Sequence, residues 1–105
     1  MKIQLKKGIL DMVVLAALLD EDGYGYKLIQ DSKDVVEMSE STLYPILRRL
    51  EDGKYLTSYK KEFNGRLRKY YRITDAGIKH LNKFLIEWRD LNKIYKFIKE
   101  KLESE

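Results

Sequence analysis

Ser39, Ser41, Thr42, Tyr44, Pro45, Arg48 and Arg49 fall within eleven residues, and Lys60, Lys61, Arg66, Arg68 and Lys69 follow within the next twenty. Hydroxyls and guanidinium groups at this density suit hydrogen bonding to phosphates and base edges rather than bond-breaking chemistry. Catalysis lacks its parts. The chain has no cysteine and one histidine, His80, which falls on the polar side of a helix and reads as solvated. It therefore has no thiolate or paired-histidine metal site, and it has no glycine-rich phosphate loop. Carboxylate pairs exist, but nothing in the sequence places them in a cleft. The expectation is a non-enzyme without cofactor or metal.

The charge follows the same residues. Over 105 residues the net charge is +4, yet residues 1–37 carry −2, residues 38–74 carry +5 and residues 75–105 carry +1. An acidic polymer would feel the middle third most strongly. Charge alone is equally well explained by a solvated basic surface, so the elements that position these residues must decide.

Those elements are legible. Residues 4–19, including "ILDMVVLAALL", read as a helix that is apolar almost all round and hence buried on most faces. That stretch is too short to span a bilayer, contains Asp11 and lacks a signal-peptide cleavage site, so a soluble, cytoplasmic protein is expected. "DEDGYGY" at 20–26 is a turn, 26–33 a short helix with Leu28 and Ile29 inward, and 34–38 a tight connection. Ser39 is the N-cap of a helix running to Asp52, with Gly53 taking the left-handed conformation that ends it. On a wheel, Leu43, Ile46, Leu47 and Leu50 share the core side. Ser41, Pro45 and Arg48 lie opposite, with Tyr44 on one flank and Thr42 and Arg49 on the other.

Pro45 costs a helix interior about 3 kcal/mol. It is tolerable on the outer face, where the helix can bend without opening a cavity and the ring offers an apolar patch to a thymine methyl. A helix beginning at Thr42 would instead put Pro45 in the first turn, where its missing N–H has no intrahelical partner. "KYLTSYKKEFNGRLRKYYRIT" at 54–74 is a hairpin turning at Asn64-Gly65, with one of Tyr70 and Tyr71 in the core. Asp75 caps a last helix from about 76 to 102. Two helices around a tight turn followed by a basic hairpin describe a winged helix-turn-helix, mainly α with a small β-hairpin. Residues 1–74 form the DNA-binding unit and 75–105 a long C-terminal dimerisation helix.

"STLYPILRRLEDGKYL" followed by "GRLRKYYRITDAG" resembles the PadR family of winged-helix transcriptional regulators. "GILDMVVLAALL" and "YGYKLI" extend the likeness over nearly the whole chain. The resemblance implies a winged helix whose added C-terminal helix makes the dimer. It also implies binding to palindromic operator DNA, usually as a repressor, with release by phenolic or multidrug-type small molecules in some members. This chain looks like the smaller members with one C-terminal helix. It differs from the family pattern in carrying almost nothing before its first helix.

The last helix supports a dimer independently. Leu81, Trp88, Tyr95 and Leu102 recur every seven residues, and Phe84, Leu91 and Ile98 fall three later. Ile78, Leu85, Ile94 and Phe97 widen the apolar surface beyond one seam, as an interface would. A two-fold homodimer is the simplest closed solution. Trp88, the sole tryptophan, sits mid-stripe, where a planar aromatic or phenolic ligand could stack between subunits. The expected function is therefore a homodimeric, sequence-specific DNA-binding regulator released by such a ligand. A winged-helix protein-interaction adaptor that does not bind DNA specifically stays open as the alternative.

Overall fold

Six elements follow one another: α1 (Ile3–Ala17), α2 (Gly25–Asp31), α3 (Glu40–Asp52), β1 (Leu56–Phe63), β2 (Arg66–Ile73) and α4 (Asp75–Glu103). The computed structural model describes residues 3–104; the outermost residues of the two expected units, 1–2 and 105, lie outside them. No helix among the described residues is long and apolar enough to cross a membrane.

α1 stops two residues short of its expected end. Leu18 and Leu19 donate to the carbonyls three residues back, which tightens the last turn, and Leu18 remains in the core. The core gathers Met12, Val14 and Leu15 of α1, Leu18 just after it, Leu28 of α2, Leu43, Ile46, Leu47 and Leu50 of α3, and Leu56 and Tyr71 of the hairpin. The apolar side read from the wheel of α3 is thus the buried side, each of its four residues at 3 % exposure or less. Each such burial stabilises by about 1.5–3 kcal/mol, so together they outweigh the proline.

α3 begins at Glu40, not Thr42, so Pro45 lies in the helix interior. Ser39 caps it as expected, its Oγ accepting from the Thr42 N–H at 3.3 Å. At the other end the expectation for Gly53 is corrected. Gly53 is right-handed (φ −79°), and the left-handed residue is Lys54 (φ 65°). Tyr55 N–H donates to the Leu50 carbonyl and Lys54 N–H to Glu51, the Schellman pattern displaced by one residue. Position 53 is a glycine for space: a Cβ there would stand 2.9 Å from the Tyr55 ring. That ring in turn stacks on His80 (centroids 4.2 Å apart, 9° between planes), so His80 is half-buried rather than solvated.

The hairpin pairs Leu56 with Ile73 through to Phe63 with Arg66. Asn64 (φ 52°) and Gly65 (φ 79°) form the two-residue turn. Tyr71 is the inward tyrosine. The segment read as a plain turn supplies a third strand position, because Gly23 exchanges both backbone hydrogen bonds with Tyr71 (2.8 and 3.1 Å). The cap of α4 is also corrected: Thr74, not Asp75, accepts from the Gly77 N–H (3.1 Å) and donates to the Lys54 carbonyl (2.8 Å). Asp75 is the first helical residue, where its charge favours the helix N-terminus.

Candidate nucleic-acid interface

α3 turns Ser41, Thr42, Tyr44, Pro45 and Arg48 to solvent. At its start Ser39 Oγ lies 2.8 Å from Ser41 Oγ and 3.3 Å from Thr42 Oγ1, a cluster of hydroxyls able to donate or accept. Pro45 has no N–H to offer the Ser41 carbonyl, which leaves that acceptor outside the helical ladder. Tyr44 leans over the start of α2. A Cβ at Gly25 would meet its hydroxyl at 2.6 Å, so glycine is what admits the ring.

Arg49 is placed differently from its neighbour. Its Nη2 and Nε reach the two carboxylate oxygens of Asp11 at 2.6 and 3.1 Å, a bidentate pair that ties α3 to α1. Arg48, one residue earlier, is exposed on the far side of the helix.

The register of the hairpin sorts the cations of the wing. Lys60 stands opposite Lys69, and Lys61 opposite Arg68. Like charges directly opposed disfavour pairing, so each such pair suits an anion beside it on its own face. Side chains alternate along a strand. Lys60 and Lys69 therefore share the face of Leu56, Tyr71 and Ile73, which is turned toward α3. Lys61, Arg66 and Arg68 share the outer face with Tyr59, Phe63 and Tyr70. On the inner side Glu51 of α3 accepts from Ser58 Oγ at 2.5 Å and lies 3.6 Å from Lys69 Nζ. On the outer side Arg68 is held between the rings of Tyr24 and Phe63.

α3 and the wing meet across a cleft of about 400 Å³ that includes Tyr24, Tyr26, Glu40, Tyr44, Leu67 and Lys69. Arg68 also lines it, and of the lining residues Tyr44, Arg68 and Lys69 are the ones that residue type and spacing single out for DNA. Tyr24 and Tyr26 sit in "GYGY", whose two glycines signal a turn and mask the phenols beside them. Among the described residues no cluster of His, Asp and Glu could hold a metal ion.

Residues 14–83 match the family described as Transcriptional regulator PadR-like family. The chain belongs to this family. Among similar proteins, the transcriptional regulator Rv3488 of Mycobacterium tuberculosis is 33 % identical over 75 residues, covering 70 % of each chain. A PadR-like transcription factor from Bacteroides fragilis superposes with a TM-score of 0.81 at 33 % identity, covering 90 % of this chain and 94 % of its own. Bacillus subtilis PadR in complex with operator DNA matches at 25 % identity and a TM-score of 0.69, covering 74 % of this chain and 47 % of that one. This PadR-like protein is a transcriptional regulator and not an enzyme.

The second surface of this PadR-like chain lies along α4. Leu81 and Phe84 pack against the domain's own core. Beyond them Trp88, Leu91, Tyr95, Ile98 and Leu102 are exposed, at 44 % to 75 %. Trp88, Leu91, Asn92 and Tyr95 line a shelf of about 370 Å³ on this helix. Nearer the body, α1 and α4 enclose an apolar groove of about 280 Å³ among Ile9, Met12, Val13, Ala16, Leu19, Leu81, Phe84 and Leu85.

Proposed function

We propose that this PadR-like regulator acts in the cytoplasm as a homodimeric repressor on a palindromic operator. Residues 1–74 form the DNA-binding unit and 75–105 the dimerisation helix. The observation that carries the reading is the cleft shared by α3 and the wing, which brings Tyr44, on the exposed side of α3, together with Arg68 and Lys69 of the wing. α3 enters the major groove, where Thr42, Ser41 and Arg48 address base edges and Pro45 a methyl group. Ser39, Tyr44, Lys60, Lys61, Arg66 and Lys69 take phosphates. Arg49 acts through Asp11, holding α3 at its angle to α1. Bacillus subtilis PadR, a protein of the same family, was solved on operator DNA, which supports the assignment of partner.

Dimerisation sets the exposed stripe Trp88, Leu91, Tyr95, Ile98 and Leu102 against a second copy, with Leu81 and Phe84 at its inner edge. The groove between α1 and α4 gives the partner's helix an apolar seat.

Four phosphate-binding cations per protomer give about eight contacts per dimer and a log–log salt slope near −7. Replacing Arg66 and Lys69 by Ala removes about four of them. The slope should fall to roughly −4, and operator and random duplex should weaken alike. An unchanged slope would take the wing out of the interface.

The Trp88 shelf is the site proposed for a planar aromatic or phenolic ligand that spreads the two α4 helices and so the two reading helices. Linkage then requires operator DNA to weaken the ligand by the factor by which the ligand weakens DNA. Titrations of Trp88 fluorescence with phenolic acids and planar aromatic cations, with and without operator, test this. Saturable quenching that operator does not weaken would mean a site without a switch.

A further inference from the structure

Resting on the DNA-binding reading above, we infer that the outer face of the wing is a positioning device, in which Arg68, wedged between Tyr24 and Phe63, and Asp22, gripping Arg72 and Tyr59, set the angle at which Lys60 and Lys69 are presented beside α3.

The wing needs such a device. A two-stranded hairpin has little stability or stiffness of its own. Its base is anchored by Leu56, Tyr71 and the Gly23 bridge, but the tip at Asn64-Gly65 lies six residues beyond Tyr71. At 3.3 Å per residue that is a lever of about 20 Å, and a tilt of about 15° at the base moves the tip by about 5 Å. Lys60 and Lys69 stand opposite each other two residues beyond Tyr71, where the same tilt moves them by about 2 Å, enough to stretch a charge-assisted hydrogen bond of about 2.8 Å past contact.

The Gly23–Tyr71 bridge explains how the outer face is braced. Because side chains alternate, Asp22 and Tyr24 fall on the face that carries Arg72 and Tyr70. Asp22 accepts from Arg72 (Nη2–Oδ2 2.8 Å) and from the Tyr59 hydroxyl (2.6 Å), joining the first connector to both strands. Hydrogen bonds from Arg72 and then Tyr59 hold its carboxyl below the ordinary carboxylate range, so the anchor is ionised at neutral pH. Tyr70 packs edge-on to Tyr24 and stacks on Tyr59, with both pairs of centroids 5.6 Å apart. The Arg68 guanidinium carbon then lies 3.9 Å from the Tyr24 ring centroid and 3.8 Å from that of Phe63. One planar cation thereby links the body of the domain to the last residue before the turn. A lysine has the charge but not the plane to stack on two rings.

Two substitutions that leave the formal charge unchanged test the device, Arg68→Lys and Phe63→Leu. The first measurement, on the free dimer, is amide hydrogen exchange. Exchange across residues 60–69 should accelerate about tenfold or more in both variants, while α3 keeps its protection. The second is operator binding against salt. Both variants should bind about tenfold more weakly, with a shallower slope than the wild type, because Lys60 and Lys69 lose their phosphates. The double variant should add little to either single one. A phosphate contact made by Arg68 itself would be rescued by lysine, and a contact of Phe63 with DNA would leave the slope alone. Unaltered exchange, or wild-type affinity and slope in either variant, would overturn the proposal. A wild-type protein that binds no duplex would overturn the DNA reading itself, and this proposal with it.

Discussion

Leu91→Asp should yield a monomer that no longer holds a two-half-site operator. Leu91 is 49 % exposed in the single chain, on the part of α4 that extends past its own core, and it borders the shelf with Trp88 and Tyr95. In the proposed dimer that surface is buried, and a carboxylate there is desolvated with no partner. The cost is about 3 kcal/mol per copy, and symmetry supplies two copies, which corresponds to a roughly 10⁴-fold weaker dimer. The fold of the monomer should survive, because Leu91 contributes little to the core. Loss of the dimer removes the coupling of two half-sites, so tight operator binding goes with it. Sedimentation showing an intact dimer of the variant would place the interface on another face.

The second large effect concerns the reading helix. Arg48→Ala should cut the preference for operator over random duplex while leaving the folded dimer unchanged. Arg48 is exposed and opposite the four buried residues of α3, so its removal opens no cavity. A lost bidentate contact to a guanine edge costs about 1–3 kcal/mol, and a dimer loses two. The ratio of operator to random binding should therefore fall at least about 30-fold. The loss should be confined to particular base positions, unlike the uniform weakening expected from Lys69. A variant that keeps the full ratio would show that another side chain reads the sequence.

How much of this was visible in the residues depends on the range of the interaction. The buried side of α3 follows from the 3.6-residue period of Leu43, Ile46, Leu47 and Leu50, and the turn of the wing from Asn64-Gly65, because both signals are local. Neighbouring caps are harder. Thr74 and Asp75 can each cap a helix, and only the approach of Gly77 N–H and the Lys54 carbonyl to Thr74 decides between them. The left-handed residue at Lys54 rather than Gly53 depends on where the Tyr55 ring comes to rest, which is a tertiary fact. A single-residue strand such as Gly23 has no period at all.

The candidate interface divides in the same way. Residue type and spacing pick out the cations of α3 and the wing but cannot tell which ones already have partners. Arg48 and Arg49 are adjacent and chemically identical, and only Arg49 meets Asp11, 38 residues away. Arg68 reads as one more wing cation until Tyr24 and Phe63 close on it. His80 similarly reads as a solvated residue until Tyr55 stacks on it. The stripe on α4 is legible from its heptads, because it extends beyond what the domain can cover alone.

The most direct test is the affinity of the pure protein for duplex DNA from its own upstream region, measured against random duplex of equal length at moderate salt. Tighter binding of the upstream duplex by at least 10³-fold, the lower end of the range for specific regulators, at one dimer per site is the result the account predicts. Equal, weak binding of both duplexes would contradict it and leave a winged-helix adaptor whose basic wing only solubilises.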